Sequence, residues 1–138
     1  MRNTRLLLLA AVGMLLALLC WPATAQGDEA PQDLFLGTWH VTMTPDEASR
    51  LDGAKQFTDA MVFADGQLLA ELFAFYGFAP GVYTVGAEPP NSFTAANQSG
   101  SKGTLSWSGS AGACHIQGVL LWTKTDGKVW RLVFTGTR

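Results

Sequence analysis

After residue 34, apolar and polar positions alternate in short runs. Clusters of Gly, Pro, Asp and Ser break the alternation about every 10 to 15 residues. Alternation of period two places every second side chain on one face of a strand, so this pattern predicts strands rather than helices. The runs predict about eight strands, over 35–44, 57–64, 67–76, 81–87, 92–98, 103–109, 114–124 and 128–136. One segment departs from the pattern. In Thr44-Pro45-Asp46-Glu47, Thr44 can cap a helix, Pro45 suits its first turn and Glu47 completes a capping box, so a short helix is expected over 45–51, ending near Asp52-Gly53. Short strands joined by tight turns predict an all-β, antiparallel up-and-down barrel with one short helix after the first strand.

The turns set the registers. Ala64-Asp65-Gly66-Gln67 predicts a two-residue hairpin that pairs Phe63 with Leu68, Met61 with Ala70 and Asp59 with Leu72. A three-residue loop there would oppose Asp59 to Glu71, an unfavourable pair of like charges. At Lys124–Lys128 a three-residue loop with Gly127 in the left-handed conformation pairs Trp122 with Trp130, Leu120 with Leu132 and Gly118 with Phe134. That register collects the large apolar residues on one face. The inward set then includes Phe57, Met61, Phe63, Leu68, Ala70 and Leu72. Trp39, Val41, Met43, Tyr83, Phe93, Leu105, Trp107 and Ile116 join them. Leu69, Phe73, Phe75, Val119, Leu121 and Val133 are expected on the outer face. Closing the last strand onto the first brings Arg138 beside Gly37-Thr38-Trp39.

The N-terminus follows a different logic. Arg2 and Arg5 precede the uninterrupted apolar run Leu6–Leu19, then Pro22 and the small-residue site Ala23-Thr24-Ala25. This is the layout of a secretory signal peptide cleaved after Ala25. At 14 residues the run is shorter than the roughly 20 that a spanning helix needs. A retained anchor and a lipoprotein modified at Cys20 are the alternatives, the second disfavoured by Leu19, where a small residue is required. The expected organisation is a signal peptide over 1–25, a flexible lead over 26–34 and the barrel over 35–138. The destination is periplasmic or extracellular, with no membrane insertion after cleavage.

Cleavage leaves 113 of the 138 residues, carrying 7 Lys+Arg against 11 Asp+Glu, a net charge of −4. That balance argues against a nucleic-acid or membrane-surface binder. Cys114 remains as the single cysteine, so the fold rests on its apolar core rather than on an internal disulfide.

Gly37-Thr38-Trp39, at the opening of the first strand, resembles the G-x-W signature of lipocalins and the wider calycin superfamily, which includes avidins. In lipocalins an arginine after the last strand packs over that tryptophan, and Arg138 is the matching position. The T-D-Y turn motif of lipocalins is missing and the chain is shorter than a typical lipocalin. The likeness is to small lipocalin-like secreted bacterial proteins, a group with no single activity. It implies a barrel with Trp39 and Arg138 at its closure, and avidin's biotin contacts cannot be matched residue by residue.

Candidate chemistry is sparse. Cys114 and His115 are adjacent and would face opposite sides of a strand, so they cannot pair as nucleophile and base. His40 and His115 point outward and reach no recognisable zinc spacing. No paired carboxylates, triad or phosphate loop appears, so neither an enzyme nor a cofactor is expected. Asp59 shares the inward parity of Met61, and a buried carboxylate must either neutralise or find partners. Trp107, Trp122 and Trp130, with Asp59, Met61 and Tyr83, are candidates to line a pocket for a small hydrophobic ligand. A mostly apolar wall with one carboxylate would suit neutral or cationic amphiphiles. The same rings can instead fill a barrel of this size. The chain would then act through its outer surface on a protein partner, with Leu69, Phe73 and Phe75 as the candidate patch.

Overall fold

Asp65 and Gly66 adopt positive φ angles of 54° and 73°, the conformation that an Asp-Gly hairpin turn requires. The turn fixes Phe63 opposite Leu68 and Met61 opposite Ala70, as read from the sequence. A computed structural model describes residues 34–86 and 91–138. The expected signal peptide over 1–25, residues 26–33 of the expected lead and position 87 of the fourth expected strand lie outside them.

Eight antiparallel strands close into a barrel in sequence order. They are β1 (Gly37–Pro45), β2 (Phe57–Ala64), β3 (Gln67–Ala70), β4 (Gly81–Val85), β5 (Ser92–Ser99), β6 (Gly103–Ala111), β7 (His115–Thr123) and β8 (Val129–Thr137). Two one-turn helices interrupt them, α1 (Glu47–Leu51) and α2 (Glu71–Phe75). Gly127 takes φ 89°, and β7 and β8 pair Trp122 with Trp130, Leu120 with Leu132 and Gly118 with Phe134. β8 returns to β1, with Gly136 opposite Val41.

Several strand ends shift by one or two residues, and three differences from the sequence reading change the structure. β1 begins at Gly37 because Leu34 and Phe35 form a turn instead of strand. The Phe35 ring is fully buried, 4.9 Å from Phe93 and 5.5 Å from Phe63 between centroids, and its carbonyl accepts the Trp39 indole N–H at 2.8 Å. Burying one such ring contributes about 1.5–3 kcal/mol, more than a frayed strand end would return. Next, α1 is capped by Asp46 and not by Thr44. The Asp46 carboxylate accepts the Ser49 N–H at 2.8 Å, while Thr44 and Pro45 remain in β1 opposite Val133 and Leu132.

The third difference is the largest. The expected strand over 67–76 stops at Ala70 and becomes α2. Glu71-Leu72-Phe73-Ala74-Phe75 holds no β-branched residue, and Gly77 with φ 102° ends the turn. The predicted pairing of Asp59 with Leu72 is therefore replaced. The Asp59 carboxylate accepts the Leu72 N–H at 2.9 Å, where the ladder would have continued. The helical rotation carries Phe73 inward, so this residue, expected on the outer face, is 3% exposed.

The barrel has a closed end and an open mouth. At the closed end Phe35 lies under Phe63, Phe93 and Tyr83. The Arg138 guanidinium lies 4.2 Å from the centre of the Trp39 ring and donates to the carbonyls of Leu34, Leu36 and Ala113. In the middle layer, Phe134 packs on Trp107 over the facing glycines of β6 and β7. A methyl group on Gly118 would meet the Phe134 ring at 2.5 Å. Buried Asn97 ties down the short β3–β4 seam. Its amide donates to the Leu68 and Ala79 carbonyls, both at 2.9 Å, and its oxygen accepts the Trp107 indole N–H at 2.7 Å.

Candidate binding cleft at the barrel mouth

At the open end, the α1–β2 connection and α2 stand apart and leave a cleft of about 290 Å³. Phe57, Leu72, Phe73, Trp122, Trp130 and Leu132 form its apolar wall; Gly53, Ala54, Lys55 and Tyr76 complete the lining. Trp122 and Trp130 face each other across β7 and β8 because the three-residue turn puts them in register, with ring centroids 5.6 Å apart at 77°. Each indole nitrogen is tied away from the cleft. The Trp122 N–H donates to the Lys102 carbonyl and the Trp130 N–H to the Asp52 carboxylate, both at 2.7 Å. The rings are thus held in place with their hydrogen-bonding needs already met. Phe73 sits behind them, 5.6 Å from Trp122, 5.7 Å from Phe57 and 6.1 Å from Trp107.

The charges at the mouth are unevenly committed. The Asp52 carboxylate accepts from the Trp130 indole and from the Lys128 ammonium at 3.1 Å, and these bonds hold it below the usual aspartate range. The Lys124 ammonium lies over the tryptophan pair, 3.0 Å from the centre of Trp130 and 4.9 Å from that of Trp122. A cation on an indole face is attracted to the ring quadrupole and keeps the ring oriented.

The six sequence-predicted ligand residues are dispersed by the fold. Trp122 and Trp130 line the cleft. Trp107 lies below it as buried core, and Met61 is fully buried opposite Trp39. Tyr83 belongs to the closed end, 5.0 Å from Phe63. Asp59 does not line the cleft. One of its oxygens accepts the Ala60 and Leu72 N–H groups, and the other is buried with no hydrogen-bond partner. Burial pushes this carboxyl above the ordinary 3.8, against the lowering effect of the two N–H bonds. The two sequence readings of the interior therefore divide the barrel: aromatic side chains fill its closed end and middle, and the mouth is open.

Of the candidate outer patch, Leu69 is half-buried and Phe75 is 83% exposed, while Phe73 is inside. His40 and His115 are both exposed and flank Thr137 on opposite sides of β8. Among the described residues no three His, Cys, Asp or Glu side chains come close enough to hold a metal. The sequence reading missed Lys55 and Tyr76 as cleft residues. Only the loop closures bring them there, and no local pattern marks them. No protein-family model, no curated protein and no solved structure matches the chain.

Proposed function

We propose that this chain is a calycin-like binding protein of the periplasm or the extracellular space, and that it holds a small, mostly apolar molecule at the barrel mouth rather than deep in the barrel. The observation that carries this reading is the tryptophan pair. Trp122 and Trp130 present fixed ring surfaces to an apolar cleft of about 290 Å³, near the lower end of small-molecule sites. Rings locked before binding lose little entropy when a flat molecule lies against them.

Titration with the neutral dye N-phenyl-1-naphthylamine tests the reading. Tryptophan fluorescence should be quenched saturably with one-to-one stoichiometry. The melting temperature should rise by mass action, equivalent to about 2.7 kcal/mol at a hundredfold excess over Kd. Trp130→Ala should abolish binding while the protein stays folded by circular dichroism. A wild-type protein that binds none of a panel of neutral and charged amphiphiles would overturn the proposal. The second reading, an outer surface that meets a protein partner, draws on the exposed ring of Phe75 and on Leu51, which is 84% exposed.

A further inference from the structure

Two lysines at the cleft form no ion pair of their own. Lys55 is part of its lining, and Lys124 lies over the tryptophan rings that form its wall. Neither has an ion-pair partner among the described residues, where the single pair is Lys128–Asp52. The nearby carboxylates are otherwise engaged. Asp52 accepts from the Trp130 indole and pairs with Lys128, acting on Lys124 only through its field, Asp126 accepts the Lys128 backbone N–H, and Asp59 is turned to the first turn of α2. The acidic group that the sequence suggested for a ligand pocket is thus absent from this one, and the free charge beside the apolar wall is positive.

Building on the cleft proposed above, we infer that its ligand is an anionic amphiphile, a flat or short apolar body bearing one acidic group. The body lies on Trp122 and Trp130, and the acidic group meets the ammonium groups of Lys55 and Lys124. An apolar wall lowers the local dielectric, so an ion contact at its edge is stronger than one in open solvent. Lys124 is already placed, because the indole faces hold its ammonium at 3.0 Å and 4.9 Å from their centres. The expected preference for neutral or cationic molecules is therefore reversed.

Two dyes with the same anilinonaphthalene frame separate this inference from the cleft itself. 8-Anilinonaphthalene-1-sulfonate carries a sulfonate, and N-phenyl-1-naphthylamine carries no charge. Fluorescence titration of the full mature protein at low salt should show the sulfonate binding about tenfold or more tightly, with the preference shrinking at ~1 M salt. The double variant Lys55→Gln/Lys124→Gln should lose that preference, read as the ratio of its affinities for the two dyes, whatever the change in either affinity alone. Near-ultraviolet circular dichroism checks that the variant is folded, and if it is not, the two single variants should each lose part of the preference. Equal wild-type affinity for both dyes overturns the anion inference and leaves the cleft standing. A sulfonate preference that survives in the variants also overturns it, and binding of neither dye overturns the cleft as well.

Discussion

Asp59 illustrates how much one residue can decide. Its parity buries it, and one carboxyl oxygen takes two backbone N–H groups while the other has none. Desolvation outweighs those bonds and raises the folded-state pKa above 3.8. Between 3.8 and the raised value the folded chain binds more protons than the unfolded chain, so stability falls as pH rises through that window. Asp59→Asn keeps an acceptor for the Leu72 N–H and cannot ionise. Its stability relative to wild type should therefore increase as pH rises from ~3 to ~7, read by thermal melting. Parallel pH profiles for the two proteins would contradict this account. Burial of Asp59 was legible from alternation alone, whereas its partner was not. The carboxylate receives Leu72 only because the chain leaves the sheet at Glu71.

At the scale of the element, α2 departs furthest from the sequence pattern. Residues 67–76 alternate well enough to read as strand, and a strand would send Phe73 outward. The helix instead places Phe73 among Phe57, Phe78, Trp107 and Trp122. Local propensity is close to balanced in such a short segment, and burial of one aromatic ring tips it. Phe73→Ala should cost about 3–5 kcal/mol in denaturant unfolding and enlarge the cleft. Phe75→Ala, two residues on in the same turn, should change stability by no more than about 0.5 kcal/mol. Equal effects would mean that the segment is strand in solution. The hairpins behaved differently. Asp65-Gly66 and Gly127 need positive φ, and that demand is written into residue type, so the registers on either side followed from the sequence.

At the scale of the whole molecule, closure rests on contacts between the ends of the described chain. Arg138 covers Trp39 and bonds the carbonyls of Leu34, Leu36 and Ala113, so it joins the last strand to the turn that carries Phe35. Arg138→Ala should lower stability by about 1–2 kcal/mol, measured by urea denaturation, through lost stacking and lost hydrogen bonds. A change within error would mean that Phe35 seals this end unaided. The sequence by itself determined the number and order of the strands, the pairings beside the two hairpin turns, the barrel class and the meeting of Trp39 with Arg138. Each of these follows from period-two burial or from turn chemistry, which act over a few residues or through simple closure. Only the tertiary structure decided that the aromatic residues fill the closed end, and that Lys55, Phe73 and Tyr76 gather with the tryptophan pair at the mouth. Those groups are brought together by loops that cross the barrel end, and their proximity depends on loop path and side-chain packing, which leave no periodic trace in the chain.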